Sequence, residues 1–165
     1  MGDNLPSWRF HLGEHPSEIT ISAAVQQTFS RYQQLGGSGL EAGGQLFAQI
    51  DDCSTHIVLA TDPSPKDKRW WNLFIRHQPS ERQDILKYYQ EGLHYVGDWH
   101  THPEVIPNYS GTDLKSARKC FVKSTHQLRY LLMLIVGYGP LPGSCRVWAI
   151  NRHEEIELNR SDTAS

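Results

Sequence analysis

Residues 129–136 (RYLLMLIV) constrain the fold more than any other part of the chain, because from Tyr130 onward every side chain is apolar. Seven residues are far too few to cross a bilayer. A continuous run of this length, without alternation, is the pattern of a β-strand buried on both faces. Such a strand requires neighbours in a sheet and covering layers above and below it. Gly137, Gly139, Pro140, Pro142 and Gly143 then break the chain, and residues 145–150 and 154–158 read as two more strands. With 165 residues, 38% of them hydrophobic and 21% charged, one domain spanning 1–165 can enclose that arrangement without disulfides.

Upstream, residues 18–21 alternate as a strand does. Ser22 stands at a cap position, and Val25, Phe29, Tyr32 and Leu35 follow at helical spacing until Gly36, Gly37 and Gly39. Residues 44–50 and 54–61 flank Asp51-Asp52 and predict a hairpin. Past Pro63 and Pro65, residues 69–75 (RWWNLFI) are apolar enough for a further strand. Ser80, three residues before Gln83, predicts a second helix that turns Ile85, Leu86, Tyr88 and Tyr89 inward and stops at Gly92. Residues 94–99 form a strand, and the Ser110/Asp113 spacing starts a third helix that runs to about Phe121. Residues 1–15, with Pro6 and Gly13, read as a loosely docked tail. Strands and helices in this order give an α+β domain.

Several function classes are disfavoured. A net charge of −2 with scattered Lys and Arg offers no footprint for nucleic acid, so a protein or peptide substrate is expected. No secretory signal and no membrane span are visible, which favours a cytoplasmic location. Cys53, Cys120 and Cys145 contain no CxxC pair and read as reduced structural thiols.

The chemistry concentrates in residues 97–113, GDWHTHPEVIPNYSGTD. In extended backbone alternate side chains share a face, so His100 and His102 can reach one ion together. Asp113 follows eleven residues after His102, across a loop with Pro103, Pro107 and Asn108 that can fold back. Two imidazoles and a carboxylate suit one Zn2+ in a catalytic site whose fourth position stays open to water. Such a site still needs a base.

Glu41 in EAGGQLF, followed far downstream by HTHPEVIPNYSGTD, resembles the JAMM (MPN+) metalloprotease signature of a glutamate plus HxHPx(6)SxxD. The resemblance extends over most of residues 18–150. It implies a mixed curved β-sheet flanked by helices in the MPN, cytidine-deaminase-like layout. It also implies zinc ligation by His100, His102 and Asp113, with Glu41 as general base and Ser110 hydrogen-bonding the oxyanion. The substrate implied is a ubiquitin-like or otherwise conjugated protein with an extended C-terminal tail, cleaved at the amide bond after its C-terminus. The short length, GDWHTHPE and SGTDLKSA are similar to the small stand-alone bacterial branch, which serves deconjugation in anti-phage operons such as CBASS.

Plainer readings stand beside these. Asp113 suits a helix start and Ser110 an N-cap in any protein, and Glu41 suits an exposed turn. Among other functions, a non-catalytic MPN scaffold and a hydrolase releasing a small adduct from a ubiquitin-like sulfur carrier remain open. His102-Pro103-Glu104 matches half of a deaminase motif, but the PCxxC half is absent.

Overall fold

The computed structural model describes residues 5–14, 17–35, 39–70 and 74–161. Along the chain these form β1 (Trp8–His11), β2 (Glu18–Ile21), α1 (Ala23–Tyr32), β3 (Gly43–Ile50), β4 (Ser54–Ala60), β5 (Lys68–Arg69), β6 (Phe74–Ile75) and α2 (Gln78–Gln90). There follow β7 (His94–Thr101), α3 (Gly111–Lys123), β8 (Leu131–Val136), β9 (Cys145–Ile150), β10 (Glu155–Glu157) and β11 (Asn159–Ser161). Nine strands form one mixed sheet in the order β10-β9-β8-β7-β3-β4-β2-β1-β11. Its two outermost strands are separated in sequence only by Leu158, so the sheet must curl until its ends meet. The α+β fold with a curved mixed sheet is as the sequence implies.

All six residues of β8 are buried, and the strand runs parallel to β7 and antiparallel to β9. Strand alternation sends them into two cores. Leu132, Leu134 and Val136 join the main cluster with Val25 and Phe29 of α1 and Trp99. Met133 and Ile135 face the other way, against Trp148 and Ile150, under Tyr109, Leu114 and Ala117. The unbroken apolar run therefore reports two covered faces.

Several expectations are corrected. The amino-terminal segment supplies β1, which pairs with both β2 and β11 and buries Phe10, so it is an integral strand of the sheet. Helix α1 is capped by Ser22 as predicted but ends at Tyr32, leaving Leu35 67% exposed; Gly36 and Gly37 lie outside the described residues. In place of one strand over 69–75, β5 and β6 make a separate two-stranded sheet, with residues 71–73 outside the description. The second helix starts earlier than Ser80: His77 is its cap, its Nδ1 accepting the Ser80 N–H, and Pro79 fills the first turn. None of its residues is fully buried, and Leu86 and Tyr89 point outward. It covers the sheet through Tyr88, whose ring packs on Phe47.

Candidate metal centre

His100 is the penultimate residue of β7, and His102 continues the strand because its N–H donates to the Val136 carbonyl at 2.9 Å. Their side chains share the face turned toward α3, while Trp99 and Thr101 face the main core. The loop from Pro103 to Tyr109 is pinned back onto the end of β8. The Tyr138 N–H donates to the Glu104 carbonyl at 2.8 Å, Arg146 Nη1 donates to the Pro107 carbonyl at 3.0 Å, and Tyr109 stacks edge-on against Trp148. Gly137 has to be glycine here, since a Cβ would lie 2.3 Å from the Glu104 oxygen. The loop thus returns the start of α3 to the histidines.

Helix α3 begins with a complete capping box. Ser110 Oγ accepts the Asp113 N–H at 3.1 Å, and Asp113 Oδ2 accepts the Ser110 N–H at 2.8 Å. The box holds the Asp113 carboxylate toward both rings. Nε2 of His100 lies 3.4 Å from Oδ1, Nε2 of His102 lies 3.1 Å from Oδ2, and the two Nε2 atoms are 3.1 Å apart. Zinc–nitrogen bonds of about 2.0–2.1 Å in a tetrahedron put neighbouring donors about 3.3 Å apart. The three side chains fit such an ion by donor chemistry and by spacing, and they are the one group of potential ligands found among the described residues. Burial would raise the Asp113 carboxyl, but hydrogen bonds from His100 and His102 and their charge take it well below the usual carboxylate range. His102 moves the opposite way: burial lowers it, and Asp113, Glu41 and Glu104 more than offset that.

Glu41 precedes β3, whose Gly43 pairs with His100. It is only 8% exposed, not the exposed turn residue of the plainer reading. Its backbone N–H donates to the Trp70 carbonyl at 2.5 Å, and its carbonyl accepts from Arg69 Nε at 2.9 Å. Glu41, His100, His102, Ser110 and Asp113 line one cavity of about 470 Å³. Burial pushes the Glu41 carboxyl up to about 7, with His102 opposing and Asp113 adding to the shift.

Residues 22–151 match the family described as prokaryotic homologs of the JAB domain. The chain belongs to that family. A Pseudomonas aeruginosa protein (strain BWHPSA011 / Pa011) named CD-NTase/cGAS isopeptidase is 34% identical over 134 residues, covering 76% of this chain and 84% of that protein. A protein of the same name from Enterobacter hormaechei subsp. hoffmannii (strain UCI 50) is 30% identical, covering 74% and 68%. The solution structure of a Desulfitobacterium hafniense protein superposes with a TM-score of 0.61 at 16% identity, covering 87% of this chain and 90% of that one, a likeness of fold. With the family and these relatives goes an activity class: this JAB domain is a hydrolase of the isopeptidase kind.

The five residues singled out in the sequence meet in this JAB domain. Sequence reading missed what supports them. Thr101, between the histidines, and Gln34, just past α1, are buried and hydrogen-bonded to each other at 3.1 Å. Arg69 holds the Glu41 peptide, and Glu104 approaches His102 Nδ1 at 4.0 Å. Thr101 could have been found from its place inside HxH, whereas nothing near Gln34 in sequence signals its role. Among the described residues no helix is long and apolar enough to cross a membrane.

Proposed function

We propose that this JAB domain is a zinc-dependent isopeptidase that cleaves the amide bond joining the C-terminus of a CD-NTase to the protein on which it is conjugated, as part of a bacterial anti-phage system. The observation that carries the reading is the convergence of two imidazole nitrogens, an ionised carboxylate and a buried glutamic acid on one cavity. The substrate follows from the names of the relatives that this chain resembles over most of its length. His100, His102 and Asp113 would hold the metal. Zinc, when bound, acidifies a coordinated water and polarises the carbonyl of the scissile bond.

The remaining chemistry belongs to the protein. A Glu41 carboxylate oxygen takes the proton of the attacking water and returns it to the departing lysine nitrogen, the two-way transfer that general acid–base catalysis requires. Ser110 Oγ already accepts the Asp113 N–H, which leaves its own hydrogen free to donate to the carbonyl oxygen as negative charge builds there. A scaffold without chemistry has no use for a glutamic acid buried at this point, because burial works against its ionised form.

The test is Glu41→Gln, which preserves shape and removes the base. A fusion of a bacterial CD-NTase with a reporter protein on its C-terminus should be cut by the wild type. The variant should lose at least about 10² of that rate, in keeping with the weight of general acid–base catalysis. Zinc per chain, measured by elemental analysis, should stay the same. Full activity in the variant would refute the assignment of Glu41, and an uncut fusion with wild-type enzyme would refute the substrate.

A further inference from the structure

We propose that Thr101, the residue between the two histidines, positions Glu41 for proton transfer through a buried hydrogen-bond relay. The proposal rests on the reading of Glu41 as the base. Alternation along β7 sends His100 and His102 to the cavity face and Thr101 to the core face, where it is completely buried. Thr101 therefore stands behind the site and touches no substrate. Its backbone N–H donates to the Ala42 carbonyl at 2.8 Å, and its Oγ1 accepts the Ala42 N–H at 2.9 Å. The residue next to Glu41 is thereby tied at both of its backbone polar groups.

The hydroxyl hydrogen continues the relay. Thr101 Oγ1 donates to Gln34 Oε1 at 3.1 Å, and Gln34 Nε2 donates to the Gly39 carbonyl at 3.3 Å. Gly39 and Ala42 bracket Glu41, so one pair of side chains fixes the segment at two points on either side of it. Gln34 is 1% exposed and Ala42 is fully buried, so water cannot replace these bonds when they are lost. Arg69 and Trp70 hold the Glu41 peptide from the other side, at a segment where Trp70 is 46% exposed. The relay needs one oxygen that accepts and donates at once, which serine supplies and valine does not.

The experiment compares Thr101→Val, which keeps the shape, with Thr101→Ser, which keeps the hydroxyl, on the CD-NTase–reporter fusion. Misplacing a catalytic group by about 1 Å costs up to about 10², so Thr101→Val should lower kcat by about 10- to 100-fold, and Thr101→Ser should stay within about twofold of wild type. KM and zinc per chain should be unchanged in both. A variant that merely loosened the fold would not be rescued by serine while holding its zinc. Gln34→Leu provides a second route if Thr101→Val does not fold, with a fall in kcat expected at full zinc content. A Thr101→Val enzyme as fast as wild type, or a Thr101→Ser enzyme as slow as Thr101→Val, would overturn the proposal. If wild type leaves the fusion uncut, the isopeptidase reading fails, and crystal structures of wild type and Thr101→Val still decide the relay. The Glu41 carboxylate should shift by about 1 Å or more against His100, His102 and Asp113, and an unmoved carboxylate would refute it.

Discussion

In the proposed mechanism Ser110 serves the helix and the reaction with different atoms, and this makes the two roles separable. The backbone N–H holds Asp113 Oδ2, the side-chain oxygen caps the helix, and only the hydroxyl hydrogen is left to face the substrate. Ser110→Ala keeps the backbone bond and deletes the other two. Loss of the cap should lower stability by about 1 kcal/mol. Loss of an oxyanion donor should lower kcat by about 10²–10³. Zinc should remain stoichiometric, because the aspartate keeps its backbone tether; a variant that lost zinc would show that the cap, not the backbone bond, orients the ligand. At this scale the sequence is legible for a physical reason. Asp113 and Ser110 are three residues apart both for a capping box and for the proposed site, so one spacing in the sequence marks both.

Which way each side chain of β7 points depends on an irregularity in the strand. Leu46 pairs with Gly97 and Phe47 with Tyr95, so Val96 is the extra residue of a β-bulge. A slip of one residue exchanges the two faces of a strand, and here it would turn the histidines toward the core and Thr101 toward the cavity. Gly97 makes the bulge possible: its φ is +150°, and a Cβ there would stand 1.9 Å from the Leu132 carbonyl oxygen of β8. Gly97→Ala must push apart two central strands, and we expect a loss of at least about 3 kcal/mol in urea unfolding together with lost zinc. A variant with wild-type midpoint and zinc content would show that β7 keeps its phase without the glycine. No bulge is visible in the string HYVGDWHT, because it arises from pairing with β3, fifty residues earlier in the chain. Helix α2 was misread for a related reason. Ile85 and Leu86 stand three residues before Tyr88 and Tyr89, a helical spacing, yet only one side of the helix meets the sheet, and the contacts made by Tyr88 and the exposure of Tyr89 follow from that distant surface.

At the scale of the whole molecule, the first strand of the chain pairs with the last, a contact between residues 9–11 and 159–161 that no local pattern predicts. The same long-range assembly brings together three charges, of which Arg76 precedes α2, Glu81 lies in its first turn and Asp98 lies on β7. Arg76 Nη1 is 2.5 Å from Asp98 Oδ1 and its Nε is 3.1 Å from Glu81 Oε1, with all three side chains less than a third exposed. One cation here faces two carboxylates, so the group carries a net negative charge until one of them takes up a proton. Burial pushes the Glu81 carboxyl up to about 7, with Arg76 opposing and Asp98 adding to the rise. The sign of the consequence follows from counting protons. Between the ordinary value of 4.5 and about 7 the folded protein holds a proton at Glu81 that the unfolded chain has released. The resulting stability is complete below pH 4.5, declines as the pH rises, and is gone above about 7. A shift of this size corresponds to on the order of 3 kcal/mol. Glu41 contributes with the same sign, so the measurement has to be a difference. Urea unfolding at acidic and at mildly alkaline pH should show wild type losing that much more stability than Glu81→Gln, whose amide cannot titrate. Parallel curves for the two proteins would mean that Arg76 keeps Glu81 ionised throughout, and that the Arg76–Glu81 ion pair outweighs the cost of burying its charge.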